Sequence, residues 1–249
     1  MDAISQTVDH PQKMPLRIRR FFAKILVAIA FAFLLSPTQA ANKDEERLLR
    51  RSGKIATSIR NIQADESSKI PASVMSQAKG IIILKQYEAG VIFGAKGGFG
   101  LAMKRAESGD WGPPAWIKTG EISGGLQLGA QKLNVVLIIV NDKSLRMLEK
   151  AKFQIGVDAS VTRGPTGSNY EARIGENADI LAYTDYQGYY AGATFEGSFL
   201  LPDRRSNDLT YGERLEVAEI INSSELPTPA FLADVLELLA QIETSHSAE

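Results

Sequence analysis

Hydrophobic positions follow a helical period near the start of the chain and change to strand-like runs later. Between residues 43 and 63, aliphatic side chains recur at spacings of seven, four and three residues; these are Leu48, Ile55, Ile59 and Ile62. Such spacing places them on one face of a helix. The pattern predicts an amphipathic helix over 43–63 with this stripe on its buried side.

From Gly80 onward the helical period is replaced by short β-rich runs, at 81–84, 91–94, 99–103, 116–118, 126–128, 135–140, 157–162, 180–184 and 189–195. All 21 glycines lie between Gly53 and Gly212, and twelve of them lie between residues 80 and 129. Many short strands favour an antiparallel sheet, and interior glycines favour tight bends or close backbone approach. We therefore predict an α+β fold, in which a curved or barrel-like, glycine-rich antiparallel β-sheet is flanked by N- and C-terminal helices.

Further helices are expected from local signals. Pro71 can begin a short helix, and the pattern at 143–150 indicates another. Residues 213–222 and 228–242 are expected to form the C-terminal helices. The predicted organisation is a helical segment at 41–77, a β-rich core at 78–212, and C-terminal helices with a tail at 213–249.

Residues 1–40 have the pattern of an export signal. Basic residues, among them Arg19 and Arg20, precede an apolar run at 25–35, and Thr38 and Ala40 stand at positions −3 and −1 of a cleavage site. The run is shorter than the ~20 residues that span a bilayer. We expect export to the periplasm or envelope, with cleavage after Ala40. An uncleaved anchor, a twin-arginine route and a start at Met14 remain alternatives.

Composition narrows the chemistry that the chain can perform. There is no cysteine, and the two histidines, His10 and His246, stand at the ends of the chain. Thiol nucleophiles, disulfides, cysteine-bound zinc and histidine-based triads are therefore not expected in the folded body. The net charge of −1 and the pI of about 6.2 do not indicate a nucleic-acid binder. We expect no enzyme activity, no metal and no cofactor.

Three kinds of functional site have some of the required residues in this sequence but lack the complete pattern. The glycine-rich stretch at 94–100 lacks the Gly-Lys-Ser/Thr of a phosphate-binding loop. Residues 76–79 and 118–120 match the Ser-x-x-Lys and Lys-Thr-Gly elements of penicillin-recognising enzymes, but no Ser-x-Asn lies between them. The spacing of the carboxylates Asp110, Asp158, Asp185 and Glu196 brings no two of them together. We therefore interpret these residues as turn and surface positions.

The predicted first helix is basic. It carries six basic residues against three acidic ones, a net charge of +3, and the basic residues are Lys43, Arg47, Arg50, Arg51, Lys54 and Arg60. Such a helix can lie on an anionic bilayer, or it can pack its stripe on the sheet and leave its charges in water. Lys96, in the glycine-rich stretch, is a further candidate for contact with an anionic surface.

The ordered set of motifs resembles one family. The matching pieces include Trp111-Gly112-Pro113-Pro114 and Tyr183-Thr184-Asp185-Tyr186-Gln187-Gly188, together with residues 78–81, 89–94, 97–100, 124–129, 164–167, 189–192, 195–198, 207 and 211–212. In this order they resemble the SYLF domain, over about residues 48–240. The sequence departs from the family pattern at Gly112, where a serine is usual, and at 88–91, where a Lys-x-Gly-Phe turn is usual.

The resemblance implies a non-enzymatic module. Eukaryotic members of the family bind phosphoinositide membranes, with an N-terminal amphipathic helix implicated, and some bind or bundle actin. For an exported chain the expected partner is an anionic phospholipid membrane surface, contacted by the basic residues of the first helix. A protein-interaction module of the envelope, a homo-oligomer and an actin-like filament partner remain alternatives.

Overall fold

The computed structural model describes residues 42–90, 94–123, 129–150, 152–155, 157–166, 179–185 and 198–245, and the chain divides into two compact units, 1–45 and 46–249. Side chains at 89–90, 94–96, 121–123 and 129–131 are not described. The predicted leader and the predicted strands at 126–128 and 189–195 lie outside the described residues. The predicted domain boundaries stay predictions.

Helix α1 comprises residues 42–64 and confirms the predicted amphipathic helix. The side chains of its apolar stripe, from Leu48 to Ile62, are at most 3% exposed. A short helix α2, Ala72–Met75, follows after Pro71, which caps it. Burial of aliphatic side chains at about 25 cal/mol per Å² fixes α1 on the sheet beneath it.

Within the described ranges, eight strands form one sheet that curls into a half-barrel, which confirms the predicted fold class. They are β1 (Gly80–Gly90), β2 (Gly94–Lys104), β3 (Ala115–Ser123), β4 (Gly129–Ile139), β5 (Phe153–Gln154), β6 (Val161–Arg163), β7 (Ile180–Thr184) and β8 (Phe199–Pro202), in the spatial order β5-β8-β3-β2-β1-β4-β7-β6. Every pair is antiparallel except β6 with β7.

The parallel pair at the sheet edge differs from the predicted all-antiparallel sheet. Parallel neighbours need a crossover connection of about a dozen residues or more, and residues 164–179 supply it. The predicted strand at 157–162 is also shorter and later than expected. Val157 is 73% exposed. The Asp158 carboxylate accepts a hydrogen bond from the Gln154 N–H, and residues 157–158 form a turn instead of the start of a strand.

The sheet has apolar residues on both faces. In β1, Ile81 and Ile83 pack with α1 and the C-terminal helix, whereas Ile82 and Leu84 pack against the helices on the other face. Successive side chains of a strand point to opposite faces, so two buried faces require a continuous apolar run. This requirement explains why residues 81–84 do not alternate with polar residues.

Glycines bring β1 and β2 unusually close, as the glycine density predicted. A Cβ added at Gly98 would lie 2.3 Å from the Lys85 carbonyl oxygen, and one at Gly100 would lie 2.1 Å from that of Ile83. Side chains at these two positions are therefore incompatible with the curvature of the sheet.

The remaining helices lie on both sides of the sheet. They are α3 (Asp142–Leu145) with a 3₁₀ turn (Arg146–Glu149), α4 (Arg204–Tyr211), α5 (Val217–Ile221), and α6 (Ala233–Thr244) after a 3₁₀ turn (Ala230–Leu232). The predicted helix at 213–222 begins later, because Gly212 adopts a left-handed conformation that ends α4, and Glu216 caps α5. Helix α4 was not predicted from the hydrophobic pattern. Its N-terminus is capped by the Asp203 carboxylate.

Candidate functional site

The outer face of α1 combines cations with an exposed aliphatic side chain. Leu49 is 48% exposed, and Arg50 and Lys54 are exposed beside it. Arg50 pairs with Glu46 at 3.1 Å, but both side chains are about two-thirds exposed, 64% and 66%. Such surface pairs contribute little, typically ~0–1 kcal/mol. The Arg50 guanidinium can therefore exchange Glu46 for another anion that binds it more tightly.

Lys54 connects α1 with the sheet. Its Nζ lies 3.3 Å from the Tyr87 hydroxyl and 5.8 Å from the centroid of the Tyr87 ring. A cation within about 6 Å of an aromatic face is attracted by the ring. Because Lys54 is exposed, this contact positions the ammonium group at the surface without burying its charge.

Arg51 has a different position from its neighbour. Its Nη1 donates to Asp203 Oδ2 at 2.7 Å and to Ser206 Oγ at 2.6 Å, and its guanidinium lies 4.3 Å from the Phe99 ring centroid. The side chains of Arg51 and Asp203 are only 14% and 15% exposed. Arg51 therefore stabilises the docking of α1 on α4 and the sheet, and it does not belong to the exposed face of α1.

The contact with Arg51 affects the pKa of the Asp203 carboxyl. Burial by itself raises the pKa of Asp203, but the hydrogen bond and charge of Arg51, together with hydrogen bonds from Ser206, outweigh it and hold the pKa below the ordinary value of 3.8. The carboxylate is therefore ionised in the folded protein at neutral pH, and the ion pair with Arg51 is complete.

The other predicted site residues are dispersed. Arg60 donates to both carboxylate oxygens of Asp234 at 2.7 Å, at the opposite end of α1. Arg47 is half-buried, and Lys43 is exposed within the first compact unit. Lys96 is paired in register with Glu88 and Glu121, and its side chain lies outside the described ones. Of the predicted set, Arg50 and Lys54 share one surface.

Lysines of the sheet extend this surface, and the sequence reasoning missed them. Lys118 lies two residues after Trp116, and Lys132 lies two residues before Asn134, so each lies on the side of the sheet that α1 covers. Both side chains are exposed. We call Arg50, Lys54, Lys118 and Lys132 the basic surface.

Strand register brings these lysines near the aromatic contacts of α1. Lys132 is the cross-strand partner of Tyr87, and Lys118 is that of Phe99. Directly opposed residues have Cβ atoms about 4.5–5.5 Å apart. Lys132 therefore lies beside the ring that α1 contacts through Lys54, and Lys118 lies beside the ring that α1 contacts through Arg51. Residue periodicity within single segments cannot reveal this, since the four cations come from three elements.

A polar network under α1 fixes the helix on the sheet. The amide oxygen of Asn134 accepts hydrogen bonds from Ser58 Oγ at 2.7 Å and from Lys85 Nζ at 2.5 Å, and its amide nitrogen donates to Asp185. Asn134 is 1% exposed. Satisfied buried networks of this kind specify one packing arrangement, so the outer face of α1 has a defined orientation.

The described carboxylates among the catalytic candidates each accept hydrogen bonds from different groups. Asp185 accepts from Asn134, Asp158 from the Gln154 N–H and Lys150, and Asp110 from Ser108. The backbone hydrogen bond from Gln154 and the bond from Lys150 hold the pKa of Asp158 below its usual value. Glu196 lies outside the described residues. Within the described ranges, no group of acidic side chains has a geometry suited to a metal ion.

A helix that crosses a bilayer needs about 20 predominantly apolar residues. Among the described helices, none combines that length with sufficient apolar character.

Comparison with known proteins connects this chain to one family. Residues 120–242 match the sequence profile of Ysc84, described as "Las17-binding protein actin regulator". The chain is 29% identical over 183 residues to human SH3 domain-containing YSC84-like protein 1, covering 72% of this chain and 53% of that protein. It is 28% identical over 166 residues to yeast LAS seventeen-binding protein 3, covering 65% and 36%.

These matches have a limited extent. The chain spans about half the length of the curated animal relatives it matches, and no solved structure matches it significantly. The family description names protein binding and actin regulation and names no reaction. The matched residues include the end of β3, strands β4 to β8 and the C-terminal helices, whereas α1, β1 and β2 precede them, and the match agrees with the resemblance that the sequence motifs indicated. Over residues 120–242 the chain matches the SYLF domain family, whose sequence profile is called Ysc84.

Proposed function

We propose that this protein is a non-enzymatic peripheral module that binds anionic phospholipid membranes through the basic surface. The observation that carries the proposal is the convergence of exposed cations from α1, β3 and β4 on one face, in a chain whose net charge is −1. A cluster of exposed cations in a chain without net positive charge favours a specific anionic partner.

The expected energetics are those of electrostatic attraction with a small apolar contact. Each Lys or Arg near an anionic membrane contributes about 1 kcal/mol, so the four cations of the basic surface can supply ~4 kcal/mol. Leu49, which is 48% exposed and precedes Arg50 in α1, can insert shallowly among the headgroups. Because the charges are exposed, salt should weaken the binding strongly.

The proposal includes a location. The pattern of residues 1–40 supports export, with a mature chain that begins at Ala41 and has 23 basic and 27 acidic residues, a net charge of −4. The membrane would then be one of the cell envelope. The mass of the protein isolated from its native cells tests cleavage, since a chain that retains residues 1–40 would contradict it.

A second candidate function is binding of a protein filament. Its support is the description of the family as an actin regulator that binds Las17, together with the name of the yeast relative. The same basic surface can contact an acidic protein. Co-sedimentation with actin filaments in the absence of lipid, together with failure to bind vesicles, would favour this candidate over the membrane.

Charge reversal on the basic surface tests the membrane proposal. The chain from Ala41 onward is sedimented with vesicles of phosphatidylcholine containing phosphatidylglycerol, because residues 1–40 are basic and apolar themselves. Lys118→Glu with Lys132→Glu should weaken binding at least tenfold, since about 1 kcal/mol per charge corresponds to more than that factor for two reversals. Raising the salt concentration should release the unmodified chain.

A matched control carries the same charge change on the other side of the sheet. Lys143 and Arg214 are exposed, and they precede Leu145 by two residues and Leu215 by one, both of which pack against the second core. Lys143→Glu with Arg214→Glu should bind the vesicles within about twofold of the unmodified chain. Equal loss in both pairs would mean that only net charge matters, and it would contradict a defined binding surface.

A further inference from the structure

A groove lies between the C-terminal end of α1 and helix α6, away from the basic surface. Its volume is about 360 Å³, and its apolar lining is formed by Ile59, Ala64, Leu238 and Ile242. Sites for small ligands are mostly apolar and have volumes of ~300–1,000 Å³. The groove is therefore large enough for one flexible aliphatic chain and too small for a second helix.

Cations stand at the rim of this apolar groove. Arg60 and Lys69 line it together with Gln63 and Gln241. The guanidinium of Arg60 is already bound to both carboxylate oxygens of Asp234 at 2.7 Å. Its charge is therefore largely neutralised locally, and it mainly contributes its aliphatic stem to the lining.

Lys69 is the cation that a ligand can recruit. Its Nζ lies 3.2 Å from Glu66, which is 81% exposed and three residues away. Such an exposed pair contributes little to stability, so the ammonium group can turn from Glu66 to an anionic ligand at low cost. An apolar groove with one recruitable cation at its rim is complementary to an amphiphile that has a single chain and an anionic head.

We propose that the α1–α6 groove binds the acyl chain of a single-chain anionic amphiphile, a fatty-acid carboxylate or a lysophospholipid, with its head at Lys69. This site is separate from the basic surface and does not depend on the proposed membrane binding. Each methylene buried in the groove should tighten binding about fourfold, which is the transfer free energy of one CH₂ expressed as a ratio of Kd.

The experiment is calorimetric titration of the full chain with octanoate, decanoate and dodecanoate, each below its micellar concentration. Lyso-phosphatidylglycerol with a twelve-carbon chain is a separate arm that distinguishes a lipid head from a free carboxylate. All variants carry the same residues 1–41, so differences between them report on the groove. Dodecanoate should bind more tightly than decanoate, and decanoate more tightly than octanoate.

A bulky side chain in the groove should weaken binding. Ala64 is exposed at the end of α1 and lines the groove, so Ala64→Trp should weaken dodecanoate binding at least tenfold. Ala240→Trp is the matched control, since Ala240 is exposed on α6 and is not part of the lining. Ser245→Trp, at the rim, is a second blocking variant if Ala64→Trp alters the circular dichroism spectrum. Lys69→Glu should weaken binding, whereas Lys79→Glu should not.

Two results would overturn the proposal: no dodecanoate binding by the unmodified chain, or equal binding by a folded blocking variant and the Ala240→Trp control. Its failure is distinguishable from failure of the membrane proposal. Ala64→Trp should leave vesicle sedimentation unchanged, and Lys118→Glu with Lys132→Glu should leave dodecanoate binding unchanged.

Discussion

Replacement of Arg51 by methionine is expected to lower the free energy of unfolding by about 3 kcal/mol at neutral pH. The methionine keeps an aliphatic stem against Phe99 and Trp116, but it leaves the Asp203 carboxylate, 15% exposed, without its partner at 2.7 Å. Removal of one member of a buried ion pair typically costs ~3–5 kcal/mol, because the other charge stays buried. Urea unfolding followed by circular dichroism measures the change.

The adjacent residue supplies the control. Arg50 is 64% exposed and pairs only with the equally exposed Glu46, so Arg50→Met should change the free energy of unfolding by no more than about 0.5 kcal/mol. Similar losses of unfolding free energy in the two variants would contradict a structural role for Arg51 and a surface position for Arg50.

The effect of Arg51→Met should also depend on pH. Arg51 lowers the pKa of Asp203 in the folded state below its unfolded value. The resulting stabilisation is complete above the unfolded pKa of about 3.9 and is lost as pH falls through the folded one. The difference between the unmodified chain and Arg51→Met should therefore be largest near neutral pH and narrow below about pH 4.

Replacement of Gly100 by alanine is expected to destabilise the fold by about 3 kcal/mol or more, or to prevent folding. The added Cβ would lie 2.1 Å from the carbonyl oxygen of Ile83, in the backbone of the neighbouring strand. Backbone cannot rotate away as a side chain can, and overpacking of a core costs ~1–3 kcal/mol even where side chains adjust. Yield of soluble protein and urea unfolding measure the effect.

Gly97 is the matched control for this substitution. It lies in the same strand, and a Cβ at this position would meet nothing within 4 Å. Gly97→Ala should leave stability unchanged or raise it by about 0.5 kcal/mol, because alanine loses less backbone entropy on folding than glycine. Equal stability of Gly97→Ala and Gly100→Ala would contradict the close approach of β1 and β2.

The fold could be predicted where local periodicity and tertiary packing agree. The stripe of α1 was predicted because Ile55, Ile59 and Ile62 recur at helical spacing and bury that face. Glycine density likewise predicted a strongly curved sheet, since glycine is the residue that permits the approach seen at Gly100. Helix α4 escaped prediction because its sequence, Arg204–Tyr211, carries few apolar residues and is positioned by its caps at Asp203 and Gly212.

The candidate site could be predicted only in part. Charge along α1 indicated a basic helix, but the sequence does not distinguish Arg50 from Arg51, which differ by about 100° around the helix axis. Only the packed structure shows that one lies outside and the other contacts Asp203. Lys118 and Lys132 were missed because strand register, which sequence periodicity does not specify, brings them beside α1.

The measurement that tests membrane binding by this face most directly uses the absence of cysteine from the chain. A single environment-sensitive fluorophore is attached through Thr57→Cys, on the exposed face of α1 one turn from Gly53 and Lys54, or through Ser224→Cys, exposed in the loop after α5. With phosphatidylglycerol-containing vesicles, the label at residue 57 should shift to the blue and become protected from an aqueous quencher, while the label at residue 224 stays unchanged. Unchanged emission at residue 57 on bound protein, or protection at residue 224 instead, would contradict binding through the basic surface.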